Sequence, residues 1–202
     1  MNDKTIIHVI DDDAAMRDSL SFLLEVNGYQ PMTYDSANAF LSAATLDQPA
    51  CVISDIRMPG MSGIELVRKL KSAGTPWSVI LITGHGDVAL AVEAMKAGAT
   101  DFIEKPFDDA ALLGAIQAAL HTQPAAPGDS NARSEAEARL ADLSPRERDV
   151  LRGLVAGKIN KVIAHDLGIS PRTVEVYRAN LMAKTGARGM SELMRIALAA
   201  GL

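Results

Sequence analysis

The chain has 202 residues, 48% hydrophobic and 22% charged, which excludes wholesale disorder and allows two modest domains. One cysteine excludes a disulfide framework or a cysteine-based zinc site, and no uncharged apolar run approaches the roughly 18 residues needed to cross a bilayer. The start, Met1-Asn2-Asp3-Lys4, has no signal-peptide pattern, so a reducing, cytoplasmic setting without membrane contact is expected.

In chain order, Ile6–Ile10, Gln30–Tyr34, Cys51–Ile53, Ser78–Thr83 and Phe102–Ile103 read as strands. The continuous apolar character of the first and fourth suggests burial on both faces, as in a parallel sheet. Met16, Leu20, Leu23 and Leu24 recur at helical spacing, with Gly28 as the expected C-cap. Further helices fit Ser36–Ala44, Gly63–Ala73, Val88–Ala97 and Asp108–His121. Five strands, each followed by a helix, imply a doubly wound α/β domain over residues 1–121. Residues 122–137 read as a linker, since two prolines and a glycine fall within a polar and alanine-rich stretch. Ser134–Leu143 suits a short lead-in helix. Beyond it every periodic segment is helical: Ser144-Pro145-Arg146-Glu147 is a capping box, and Gly157, Gly168 and Gly186 punctuate a four-helix run.

Charge divides the same way. Residues 1–120 hold 8 Lys+Arg against 16 Asp+Glu, net −8, whereas residues 140–202 hold 10 against 6, net +4. Two domains with different partners follow, nucleic acid being the candidate for the basic one.

Ligands of a doubly wound sheet bind at the carboxyl ends of its strands. Four motifs fall there: Asp11-Asp12-Asp13, Asp55, Thr83 and Lys105-Pro106. Each has an ordinary reading alone, Asp13 as a helix N-cap, Asp55 as a turn residue, Thr83 as a core-edge residue and Lys105 as a surface charge. Together they say more. Carboxylates crowded at one rim invite a hard divalent cation, and a lysine with a hydroxyl suits a phosphoryl group beside it. A lone strand-end carboxylate can take that phosphoryl as a nucleophile. The run Gly84-His85-Gly86-Asp87-Val88-Ala89 matches a dinucleotide-binding turn, but that turn belongs after the first strand, where three aspartates would repel a pyrophosphate. Its glycines fit better as a means of keeping the site open beside Thr83.

Asp11-Asp12, Asp55 with Met58-Pro59, Thr83-Gly84 and Lys105-Pro106 resemble the receiver domain of two-component response regulators, a flavodoxin-like fold. The resemblance implies that Asp55 is the phospho-acceptor. It implies a Mg²⁺ (or Mn²⁺) ion on Asp12 and Asp55, with Asp11 assisting and the Arg57 backbone carbonyl as a further ligand. It also implies phosphoryl contacts from Thr83 and Lys105, a switch aromatic at Phe102, and a cis Lys105–Pro106 bond.

In the basic part, Asn160–Leu167, Gly168-Ile169-Ser170 and Pro171–Lys184 fit helix, turn, helix. Val174, Tyr177 and Leu181 form the inward stripe of the second helix, and Ala164 is small where two helices would cross. The opposite side presents Arg172, Val176, Ala179 and Ala183, flanked by Glu175 and Asn180 and with Thr173 among the expected DNA contacts, suited to base edges in a major groove, while Arg178 and Lys184 sit at phosphate-contacting flanks. A bundle whose charged face is merely solvated is the alternative. Leu143-Ser144-x-Arg146-Glu147, Asn160-Lys161, Ile163-Ala164 and Thr173-Val174-x-Val176-Tyr177 resemble the LuxR-type helix-turn-helix domain, over residues 138–202. Glu175 departs from the lysine common there.

The two halves together resemble the NarL/FixJ subfamily of response regulators, and most closely its regulators of nitrogen fixation. That resemblance implies a sensor histidine kinase donor (oxygen-responsive and haem-containing), promoter DNA and RNA polymerase as partners, and transcription activation as output. A paralogue serving another signal by the same mechanism is one alternative. A phosphotransfer enzyme with Asp55 as nucleophile is another, but such enzymes need a second carboxylate where Arg57 stands, so no enzyme is expected. A constitutive DNA-binding protein with a degenerate receiver conflicts with the intact acidic set. Phosphorylation is expected to drive a homodimer through exposed Val92, Lys96 and nearby Asp101. Cys51 reads as a buried small hydrophobe, and Trp77 as a packing residue at the entry to the fourth strand.

Overall fold

A computed structural model describes residues 5–44, 50–84, 88–121 and 130–202. The chain divides into two compact units, Met1–His85 with Ala97–Pro124, and Gly86–Lys96 with Ala125–Leu202.

The first unit is built on one parallel sheet of β1 (Ile6–Ile10), β2 (Gln30–Tyr34), β3 (Cys51–Asp55), β4 (Ser78–Thr83) and β5 (Asp101–Glu104), in the order β2-β1-β3-β4-β5. β1 and β4 are almost wholly buried, as their unbroken apolar runs require. Side chains alternate across the sheet. Ile7, Val9, Cys51, Ile53, Ile80 and Ile82 face a core completed by Leu20 and Leu24 of α1 (Ala14–Val26) and by Leu112 and Ile116 of α5 (Asp109–His121). On the alternating positions His8 pairs in register with Val52, and Val52 with Val79. Here His8 stacks on Trp77 with ring centroids 5.1 Å apart, and Phe40 of α2 (Ala37–Ala43) meets both rings edge-on. His8 Nδ1 lies 3.1 Å from the Tyr34 hydroxyl, and burial holds its pKa below the ordinary value. Trp77 and Cys51 are both buried, as expected.

Helix starts follow local chemistry. Asp13 caps α1 by accepting from the Ala15 amide at 2.9 Å, so its ordinary reading is the right one. Asn27 rather than Gly28 is the C-cap, with Gly28 one residue beyond. Ser62 and Glu65 form a capping box that begins α3 (Gly63–Ser72). Gly63 matters more than its cap: a Cβ there would collide with the Asp55 carbonyl and with Leu81, so glycine lets α3 start directly against the end of β3.

The second unit holds α6 (Ser130–Arg139), α7 (Pro145–Val155), α8 (Asn160–Leu167), α9 (Pro171–Thr185) and α10 (Met190–Ala199), together with most of α4 (Val88–Ala97). α6 starts four residues before the expected lead-in helix and occupies the end of the stretch read as linker. Alanine, arginine and glutamate outweigh its serines and asparagine, and Arg133 pairs with Glu137 one turn on. Residues 122–129 of that stretch lie outside the described residues, as do His85–Asp87 of the glycine-rich turn.

α7, α8, α9 and α10 pack around Val150, Leu151, Leu154, Ile163, Val174, Leu181, Leu193 and Met194, and Ala164 is buried as its size required. Tyr177 is half-buried. α8 ends at Gly168, whose φ of 66° is left-handed and favours glycine; Ser170 then caps α9 with Pro171 at its first turn. The expected helix-turn-helix is present. Val92, expected on an exposed dimer face, is buried at 3% exposure together with Ala91, Ala94 and Met95. α4 (VALAVEAMKA) is apolar nearly all round, and such helices are covered rather than displayed.

Candidate phosphoryl-acceptor site and nucleic-acid interface

The first candidate site forms where β1, β3, β4 and β5 end. β3 delivers Asp55 to the rim, and the Asp55 Oδ2 accepts from the Arg57 amide at 2.6 Å. Lys105 directly follows β5 and precedes a cis Lys105–Pro106 bond, and its amide donates to the Thr83 carbonyl at 2.8 Å. That tie aims the lysine at β3. Its Nζ lies 2.7 Å from Asp55 Oδ1 and 3.5 Å from Asp11 Oδ2, so one ammonium bridges two carboxylates.

The electrostatics differ from residue to residue. Asp11 is 2% exposed; burial raises its pKa, against the lowering effects of the Asp13 amide and Lys105. Burial opposes the charge on Lys105, yet the hydrogen bond to Asp55 and the charges of Asp55 and Asp11 outweigh it and raise its pKa. The Arg17 guanidinium donates to the Asp11 carbonyl at 2.7 Å and fixes this turn, a role with no sequence signal. Asp12 is exposed. Thr83 is buried and its hydroxyl donates weakly to the Gly84 carbonyl at 3.4 Å. Phe102 is half-buried on β5, with its amide held at 2.8 Å by the Asp101 carboxylate.

Among the described residues no three His, Cys, Asp or Glu side chains stand close enough to form a metal-binding group. The full trio of Asp11, Asp12 and Asp55 is therefore not gathered. Asp11 and Asp55 are brought together around the shared Lys105 ammonium and offer carboxylate oxygens alone. Magnesium commonly takes one or two carboxylates and keeps several waters, so this smaller set fits it.

The second candidate site is the outer face of α9. Arg172, Glu175, Val176, Ala179 and Asn180 are exposed there, Val176 at 55% despite being apolar. Thr173 is half-buried and turns its hydroxyl to Ser170 Oγ at 2.8 Å. The two flanking cations are engaged differently from expectation. Lys184 Nζ sits 2.8 Å from Glu147 Oε2, so the ammonium is paired within the unit although its side chain stays 41% exposed. Arg178 donates through one Nη to Asn160 Oδ1 at 3.0 Å. Glu147 also completes the Ser144 capping box; Lys184 and the Ser144 amide hold its carboxyl below the ordinary carboxylate value. Lys96 donates to the Val155 carbonyl at 3.1 Å, so it too has a partner. No helix among the described residues is long and apolar enough to cross a membrane.

Comparison with known proteins assigns a family to each of the two parts. Response regulator receiver domains match residues 7–117, and the LuxR family of bacterial regulatory proteins matches residues 141–197. The transcriptional regulatory protein FixJ of Azorhizobium caulinodans is 55% identical over 97% of this chain and 93% of its own. FixJ of Bradyrhizobium diazoefficiens is 53% identical over 100% and 98%. The response regulator TodT of Pseudomonas putida is 40% identical over 97% and 87%. Among solved structures, full-length FixJ from B. japonicum aligns with a TM-score of 0.56 at 52% identity, over 98% of both chains.

Proposed function

The chain belongs to the response regulators that join a receiver domain to a LuxR-family DNA-binding domain, and from that premise we propose how its two sites work. It is a phosphorylation-activated transcriptional regulator; the receiver implies a histidine kinase as donor and the LuxR-family part implies DNA. We place the receiver at residues 1–121 and the DNA-binding part at 138–202, with α6 leading into it.

An Asp55 carboxylate oxygen attacks the phosphorus of the kinase phosphohistidine. The new O–P bond forms as the P–N bond breaks, and the imidazole leaves. The observation that carries this reading is the bridging ammonium of Lys105, 2.7 Å from Asp55 Oδ1, which positions positive charge for the arriving phosphoryl oxygens. A magnesium or manganese ion on Asp11, Asp55 and the Arg57 carbonyl, with Asp12 near by, supplies further charge neutralisation when bound. Thr83 then draws toward the phosphoryl and Phe102 turns into the space behind it. For α4 to meet a second copy through Lys96, Val92 and the neighbouring Asp101, Val92 must be uncovered and the Lys96–Val155 bond broken. The dimer sets two α9 helices on promoter DNA, with Arg172, Thr173, Glu175, Val176, Ala179 and Asn180 toward base edges and Arg178 on phosphate, and recruits RNA polymerase. Kinase and DNA are both met in the cytoplasm. Two relatives named FixJ favour nitrogen-fixation genes as the target; an oxygen-sensing haem kinase as the donor rests on the family resemblance alone.

Asp55→Asn tests the assignment, because it keeps the size of the side chain while removing the nucleophile. Stable phosphoryl label from acetyl phosphate should vanish, and with it the rise in sedimentation mass and in DNA affinity. Label that persists on the variant would defeat the site.

A further inference from the structure

We infer that Asn160 is a positioning residue for DNA binding, one that holds Arg178 in the orientation from which it meets the phosphate backbone. The inference rests on the phosphate role proposed above for Arg178. Asn160 is the first residue of α8, and the N-cap before it is Ile159, which makes no side-chain cap bond and leaves an apolar side chain 49% exposed. Asparagine is among the best N-caps and isoleucine among the poorest. The chain thus forgoes a capped α8 and uses its asparagine elsewhere: the Oδ1 reaches 18 residues along the sequence to accept from Arg178 at 3.0 Å. A guanidinium carries five N–H donors in a rigid fork. The amide occupies one, and no second partner is found among the described residues. Arg178 is half-buried beside the exposed Glu175, Val176, Ala179 and Asn180, so a tether at its head group removes rotamers that would otherwise turn it away. The same bond joins the two helices of the helix-turn-helix, so the phosphate contact and the angle between α8 and α9 share one hydrogen bond.

The test uses the full chain, treated with acetyl phosphate and Mg²⁺, and a fluorescent duplex of random sequence, since phosphate contacts carry no sequence information. Affinity is followed against salt. Arg178→Ala should lower the log–log salt slope by about 0.9, the share of one phosphate contact. Asn160→Ala should weaken binding and lower the slope by part of that amount, and should change nothing further in the Arg178→Ala background. Asn160→Ser, which shortens the side chain but suits a helix start, should behave alike and serves if the alanine variant does not fold. An unchanged slope for the Asn160 variants overturns the inference. So does an equal loss in both backgrounds, which would mark a structural role alone. An unchanged slope for Arg178→Ala itself would instead remove the phosphate role of that arginine.

Discussion

Both units press a lysine against an acidic side chain at nearly the same distance, 2.7 Å for Lys105–Asp55 and 2.8 Å for Lys184–Glu147. Distance does not separate their jobs; the surroundings do. Glu147 is 4% exposed at its side chain, and its Oε2 also serves the Ser144 amide and hydroxyl, so the pair belongs to a helix start. Asp55 is 13% exposed at its side chain and stands at an open rim, where its lysine is shared with a second, more deeply buried acid. A carboxylate whose neighbours complete a cap is part of the frame. One at an open rim, paired with a partly exposed lysine, is ready to exchange that partner for another.

That contrast can be broken experimentally. The largest effect should come from Lys105→Met, which ought to cut phosphoryl transfer to Asp55 by roughly 10²–10³-fold, the usual loss when a preorganised charge is removed. The receiver should still melt cooperatively by calorimetry, and a variant that fails to fold would make Lys105 a frame lysine like the other. Lys184→Met should do the reverse. It strands a buried carboxylate and should destabilise the second unit by about 1–3 kcal/mol, with phosphoryl labelling untouched. Its DNA salt slope should stay at the wild-type value; a fall of about 1 would restore the phosphate contact expected from sequence.

The two acids should also respond to pH with opposite signs. Glu147 has its pKa lowered by folding, so its stabilisation is present above its ordinary value of 4.5 and is lost as pH falls through the folded value. Asp11 has its pKa raised, so its contribution favours folding below 3.8 and is lost as pH rises through the folded value. At neutral pH Asp11 therefore costs stability, and Asp11→Asn should strengthen the receiver by about 0.5–2 kcal/mol in urea unfolding, at the expense of phosphorylation. A weaker receiver would show that Lys105 more than repays the burial. The smallest signal is acid melting of the second unit: its midpoint should fall more steeply below pH 4.5 in the wild type than in Glu147→Gln.

What could be read from sequence follows the range of each interaction. Asp55, Thr83 and Lys105 were legible because strand ends in a parallel sheet converge whatever the loops do, and Asp13, Ser144 and Ser170 because caps act within three residues. The Glu147–Lys184 and Arg178–Asn160 bonds span 37 and 18 positions and left no local trace, so the partners of both cations could not be read from the sequence. Val92 was misplaced for another reason. In VALAVEAMKA nearly every position is apolar, and periodicity cannot say which side of such a helix is covered. Asp11 and Asp12 are adjacent identical residues, yet one is buried and the other exposed, a difference made by the turn alone.

The aromatic stack under the sheet has a practical consequence. Trp77 is the chain's one tryptophan, and it lies 5.1 Å from His8, deep in the receiver. Its indole emission therefore reports on one half of a two-part molecule and is silent about the other. Excited selectively, it would time the loss of the receiver core while circular dichroism, weighted toward the helical second unit, follows the remainder. Each of the variants above can then be assigned to its own transition without cutting the chain.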